Sequence, residues 1–137
     1  MPVGFTILIA DRNRHVRNFL RRELAAEGYQ VEVAADGRDV LRRVGIADPP
    51  DLLILDLETP YSGGLAILER LQGRNFQLPV IIHAFPTEDV THPAVQRAAA
   101  FVEKTGNTDR LKAAVLEVFR EYYPDRFTTN QRERKKG

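Results

Sequence analysis

Asp11, Asp56 and Lys104 are the residues whose types and settings can do chemistry together. Asp56 ends the apolar run Leu52-Leu53-Ile54-Leu55 and precedes a turn rich in proline and glycine, Glu58-Thr59-Pro60-Tyr61-Ser62-Gly63-Gly64. Asp11 ends a second run, Phe5-Thr6-Ile7-Leu8-Ile9-Ala10, and Lys104 follows a third, Ala100-Phe101-Val102. Unbroken apolar runs of this length suit strands buried on both faces, and the carboxyl ends of such strands are where open α/β sheets bind ligands. Two carboxylates and an ammonium at adjoining strand ends suit a divalent metal and a phosphoryl group. Carboxylate oxygens hold a hard cation such as Mg²⁺, the cation offsets phosphoryl charge, and an in-line carboxylate can attack phosphorus to form an acyl phosphate. A lysine then holds the phosphoryl oxygens as a point charge. Each residue alone is a common solvated turn residue; their joint occurrence is what points to chemistry.

The rest of the chain must place those three side chains. Val16, Phe19, Leu20 and Leu24 make one stripe of a first helix, which Asn13 can cap and Gly28 can follow. Its other face carries Arg14, Arg17, Arg21 and Arg22, read as a solvated surface. Gln30-Val31-Glu32-Val33-Ala34 alternates as a strand at the sheet edge does, and Asp36-Gly37 turns the chain into a short helix through Val40, Leu41 and Val44. Ala66, Ile67, Leu68 and Leu71 predict a third helix ending near Gly73, and Leu78-Pro79-Val80-Ile81-Ile82 a fourth strand. A helix from about Pro93 to Ala99 precedes the fifth strand. Asn107 or Thr108 can cap a last helix striped by Leu111, Ala114, Val115, Val118, Phe119 and Tyr122, closed by Pro124. Strands alternating with helices through right-handed crossovers predict an α/β, flavodoxin-like (βα)5 doubly wound fold. Its five-stranded parallel sheet has order 2-1-3-4-5 and helices on both faces. Asp11, Asp56 and Lys104 then converge.

A chain of 137 residues with 43% hydrophobic residues is the size of one domain with a real core. We read a domain over 1–124 and a polar, basic tail over 125–137, poorly ordered from Thr128 onward, where Arg132, Arg134, Lys135 and Lys136 cluster. A net charge of +1 gives no global argument for nucleic acid, and no direct nucleic-acid binding is expected. The chain has no cysteine, hence neither disulfides nor thiolate metal sites, and no run approaches the roughly 18 apolar residues of a membrane span. His15 and His92 lack any spacing that suggests a metal site. A cytoplasmic protein without membrane contact is the simplest expectation.

With Ile7-Leu8-Ile9-Ala10-Asp11, Leu52 to Asp56 backed by Pro60 and Gly64, Leu78 to Ile82, and Phe101-Val102-Glu103-Lys104 in register, the chain resembles the receiver domains of two-component response regulators, CheY-like proteins. The resemblance runs from about Phe5 to Tyr122 and includes Asp36-Gly37. It implies a phosphoprotein in phosphorelay signalling rather than an enzyme. Asp56 would be the phosphoacceptor for a histidine kinase or phosphotransfer protein, Asp11 would help bind Mg²⁺ with Asp56 and the carbonyl of Glu58, and Lys104 would contact the phosphoryl group. It also implies a partner or dimer face on helix four, strand five and helix five, to which Tyr122, Tyr123 and Phe127 can contribute unless they close the chain's own core.

Three positions depart from the family pattern. Arg12 replaces the second member of the acidic pair after strand one, Ala84 the Ser/Thr after strand four, and Thr105 the proline after the lysine. Phe101 matches the aromatic switch position, although its ordinary role is core packing; the stretch from Ala84 to Lys104 is also short, which predicts a reduced fourth helix. If Arg12 enters the pocket, its guanidinium can pair with Asp56 or Glu58, take the place of the metal and slow phosphorylation. If it swings out over helix one, a weakly held Mg²⁺ remains. Thr87 can stand in for the missing hydroxyl if its loop folds inward; His83, on the adjacent strand position, should face away. The leading expectation is a stand-alone receiver, impaired or atypical in phosphorylation. The alternative is a phosphorylation-independent pseudo-receiver acting as a protein-protein interaction module. Asp56-Leu57-Glu58-Thr59 is weakly similar to the nucleophile motif of aspartyl-phosphate hydrolases of the haloacid dehalogenase type, with its second acid changed and its threonine misplaced. A flavin- or nucleotide-binding domain would want glycines or hydroxyls after strand one, where Asp11-Arg12-Asn13-Arg14-His15 stands.

Overall fold

The computed structural model of the protein describes residues 4–60, 63–73, 77–85 and 91–126. Thr87, Phe127 and the tail residues Arg132, Arg134, Lys135 and Lys136 lie outside the described residues. Five strands alternate with five helices: β1 Thr6–Ala10, α1 Arg14–Ala25, β2 Gln30–Ala34, α2 Gly37–Val44, β3 Leu52–Leu55, α3 Gly63–Gly73, β4 Val80–Ala84, α4 Pro93–Gln96, β5 Ala100–Glu103 and α5 Asp109–Tyr122. All neighbouring strands pair parallel, in the order β2-β1-β3-β4-β5.

Alternation along the central strands splits the core into two layers. Leu8, Ala10, Leu53, Leu55, Ile82 and Ala84 face α2, α3 and α4, whereas Ile7, Ile9, Leu52, Ile54 and Ile81 face α1 and α5. β1 and β3 are buried along almost their whole length, as their unbroken apolar runs require. The second layer closes on an aromatic group, where the Phe5 and Phe119 rings stack with centroids 4.0 Å apart and Tyr29 and Tyr123 tilt against Phe119. Tyr123 therefore closes the chain's own core, and its hydroxyl, which burial pushes up to about 12, donates to the carbonyl of Asp51 at 2.6 Å. Arg126 extends this closure by lying over the Phe5 ring and pairing with Asp51 at 2.7 Å.

Two local expectations are corrected, and a third is decided between its alternatives. α4 is one turn rather than a helix to Ala99, because the N–H of Ala99 already donates to Val80 of β4 at 2.9 Å. The Thr108 hydroxyl does not cap α5; it donates to Glu23 Oε1 at 2.8 Å, and Asn107 accepts the Asp109 N–H instead. Phe101 is not core: it is 38% exposed, since alternation sends Val102 inward and the single turn of α4 leaves the opposite side of edge strand β5 open. Among the described residues no helix is long and apolar enough to cross a membrane.

Candidate phosphoryl site at the sheet edge

Sheet register brings the three residues together. Ala10 pairs with Leu55, and the Asp56 N–H donates to the Ala10 carbonyl at 2.9 Å, so Asp11 and Asp56 emerge side by side. Lys104 leaves β5 opposite the end of β4, its N–H donating to the Ala84 carbonyl at 2.8 Å. Two strand spacings, roughly 10 Å, separate β5 from β3, and the long lysine stem spans most of that distance. Its ammonium lies 2.9 Å from Asp11 Oδ2 and 3.3 Å from Asp56 Oδ1. All three side chains are at least nine-tenths buried, and the Phe85 ring lies 5.2 Å from the Lys104 ammonium. Burial and mutual compensation make this an ion cluster whose members depend on one another.

The turn after β3 aims Asp56. Its carboxylate accepts the Glu58 N–H at 3.1 Å, while Thr59, itself buried, donates its hydroxyl to the Asp56 carbonyl at 2.7 Å. A Cβ on Gly64 would lie 2.4 Å from the Asp56 carbonyl oxygen, so only glycine lets α3 start against this turn. Asp11 is held by the Asn13 N–H at 2.8 Å, and Asn13 in turn caps α1 as expected. Arg17 departs from the solvated face assigned to it, donating to the Asp11 carbonyl at 2.7 Å.

Arg12 turns toward the pocket. Its guanidinium pairs with the Glu58 carboxylate, and its Nε lies 3.9 Å from Asp56 Oδ2, which also faces the Arg12 N–H at 3.4 Å. Each oxygen of the two buried carboxylates thus already meets a protein donor or cation, with Lys104 on one side of Asp56 and Arg12 on the other. Mg²⁺ demands a near-octahedral set of oxygens. Among the described residues no three acidic or histidine side chains gather as a metal cage; beside Asp11 and Asp56 stands the guanidinium of Arg12. In this arrangement the carboxylates of Asp11 and Asp56 are held by Lys104 and Arg12 instead of lying open toward an ion.

Ala84 is fully buried in the layer beneath α4 and offers the site only a methyl group and its carbonyl. Thr105 bonds locally, its hydroxyl donating to the Asn107 carbonyl at 2.8 Å. His15 is exposed, and His92 caps α4 by accepting the Ala94 N–H at 3.1 Å.

His83 was expected to face away, and alternation does place it on the Ile81 side, opposite Ala84. It is nonetheless electrically part of the site. Burial lowers its imidazole to about 4, with the Lys104 ammonium adding to the shift and the Asp56 carboxylate opposing it, and its Nδ1 has no hydrogen-bond partner. A histidine neutral in the fold but protonated near 6.5 when unfolded supports full stability above pH 6.5 and loses it as pH falls toward 4. The slope is about 1.4 kcal/mol per pH unit in that window. Urea unfolding at pH 7 and pH 5 should therefore show a larger acid loss for the natural chain than for His83→Val; equal losses would contradict a buried neutral imidazole.

A parallel sheet ordered 2-1-3-4-5, with two carboxylates and a lysine at its carboxyl edge, defines a CheY-like receiver fold. A family model, the response regulator receiver domain, matches residues 7–116, and the chain belongs to that family of two-component signalling domains. Response regulator MprA of Mycobacterium tuberculosis is 41% identical over 76 residues, covering 56% of this chain and 33% of the relative. MprA of Mycolicibacterium vanbaalenii is 40% identical over 82 residues, covering 60% and 34%. The chain therefore spans about a third of the length of these relatives. Among solved structures, response regulator TrrA of Thermotoga maritima in complex with Mg²⁺-BeF is similar with TM-score 0.77 and 27% identity, covering 83% of this chain and 98% of that one. TrrA bound to histidine kinase ThkA gives TM-score 0.75 and 27% identity, covering 83% and 97%.

Proposed function

We propose that Asp56 is a phosphoacceptor of reduced reactivity, loaded by a histidine kinase or phosphotransfer protein, and that the domain works as a signalling module rather than an enzyme. The observation that carries this reading is the buried Asp56 carboxylate with the Lys104 ammonium 3.3 Å away. An Asp56 oxygen attacks phosphorus, the donor's P–N bond breaks, and the leaving imidazole keeps the electron pair and takes up a proton. Lys104 meets the incoming phosphoryl oxygens from its place beside Asp56 Oδ1. Support for the kinase comes from the complex of ThkA with TrrA. A cytoplasmic location goes with such a donor.

Two features argue for slow loading. Arg12 competes for Asp56 and sets a fixed positive charge beside it, which weakens Mg²⁺ binding there. Ala84 has no hydroxyl to follow the phosphoryl group, so arrival of the group is weakly coupled to the rest of the fold. The same features favour the second reading, a phosphorylation-independent interaction module. Under either reading the partner face is β5 and α5 with the α4 turn, where Phe101 and Tyr122 are exposed.

Incubation with acetyl phosphate followed by intact-mass spectrometry separates the two. A phosphoryl adduct, slower to form than on a receiver with an acidic pair and absent from Asp56→Asn, supports the acceptor. No adduct on the natural chain supports the interaction module.

A further inference from the structure

We infer that the Arg12 guanidinium is the built-in cation of this phosphoryl site, so that phosphoryl capture at Asp56 does not depend on a divalent metal. This rests on Asp56 being a phosphoacceptor and adds what neutralises the group once it arrives.

The geometry is that of two cations flanking one nucleophile. Lys104 approaches Asp56 Oδ1 at 3.3 Å and Arg12 Nε approaches Oδ2 at 3.9 Å, from opposite sides of the carboxylate. Arg12 directly follows Asp11 at the end of β1, and its own N–H faces Asp56 Oδ2 at 3.4 Å, which ties the side chain's root to the reacting group. The guanidinium is planar, permanently charged and presents paired N–H donors that match two phosphoryl oxygens. Arginine also stabilises the charge that spreads over a transferring phosphoryl group.

Charge and freedom of movement agree with that role. Asp11 is already matched by Lys104 at 2.9 Å, and Glu58 by Arg12. An acyl phosphate carries roughly one more negative charge than the carboxylate it replaces. Of the two cations at Asp56, Arg12 is the one able to turn to it: its side chain is 45% exposed and its partner Glu58 42% exposed, so Glu58 can release it to solvent without unpacking the core. Lys104, 8% exposed and shared between two carboxylates, has no such latitude. A divalent ion entering the same space would meet a fixed positive charge instead of a third carboxylate.

The test uses the full chain, acetyl phosphate as donor, and intact mass as readout, with EDTA or with millimolar Mg²⁺. The natural chain should label at rates within about twofold in the two conditions, and Arg12→Ala should lose about tenfold or more in EDTA. Arg12→Asp should label only with Mg²⁺, and in calorimetric titration it should bind MgCl₂ where the natural chain gives no binding heat. Labelling of the natural chain that requires Mg²⁺ overturns the inference but leaves Asp56 as an acceptor. Labelling of Arg12→Asp alone also overturns it, making Arg12 a plug. Failure of both chains to label overturns the acceptor reading and this inference with it.

Discussion

Lys104→Met should lower the free energy of unfolding by about 3 kcal/mol or more and abolish labelling of Asp56 by acetyl phosphate. The methionine keeps most of the apolar stem but removes the ammonium that lies 2.9 Å from Asp11 and 3.3 Å from Asp56. Breaking a buried ion cluster by deleting one partner leaves charge uncompensated in a poorly solvated place, which costs far more than an exposed pair is worth. Asp11 and Asp56 are 1% and 2% exposed, so water cannot replace the missing cation without opening the strand ends. Arg12 cannot replace it either, because its guanidinium lies on the other side of Asp56 and is bound to Glu58. Chemical denaturation and intact mass, run on the same preparation, read the two effects. A variant of unchanged stability would mean that the three buried charges are more hydrated than their burial implies.

Phe119→Ala should cost about 3–5 kcal/mol and leave the labelling of the folded fraction unchanged. Phe119 is fully buried, stacks on Phe5 at 4.0 Å, and is flanked by Tyr29 and Tyr123 with ring centroids 5.4 and 6.1 Å away. Truncation removes the ring's transfer free energy and leaves a cavity whose aromatic walls cannot collapse, since Tyr123 is tied through its hydroxyl to Asp51. That cluster closes the layer under α1 and α5 and is separate from the carboxyl edge that carries Asp56. Together the variants separate two roles: Lys104 supports both fold and chemistry, Phe119 the fold alone. Loss of labelling in folded Phe119→Ala would show that the α1 and α5 layer controls the site.

The legible parts of the chain were those governed by short-range pattern. Leu52 to Leu55 reads as a strand because β3 is central and buried on both faces, and a period-two alternation marks β2 as an edge. Asn13 caps α1 because a cap needs only residues two and three positions away. Phe101 was misread as core because a four-residue edge strand does not show from sequence which side a neighbouring helix will cover. The Thr108 bond to Glu23 joins residues 85 positions apart, and no local rule anticipates it.

At the site, the strand-end positions of Asp11, Asp56 and Lys104 were readable, but the direction of Arg12 was open between pocket and helix surface. It is decided by Glu58, whose carboxylate the β3 turn places within reach. The coupling of His83 to Lys104 and Asp56 depends on charges from neighbouring strands and on burial, which sequence spacing alone does not give. Thr59 carried a usable signal, a hydroxyl three residues after the strand-end aspartate, where it can close a turn onto that aspartate's carbonyl.

The most direct test of Asp56 as the acceptor is chemical mapping. Borohydride converts an aspartyl phosphate to homoserine, which tandem mass spectrometry of the digested chain locates by residue. After treatment with acetyl phosphate, homoserine is expected at position 56 and none at Asp11. Unmodified aspartate at 56, or phosphate mapped to any other side chain, would contradict it.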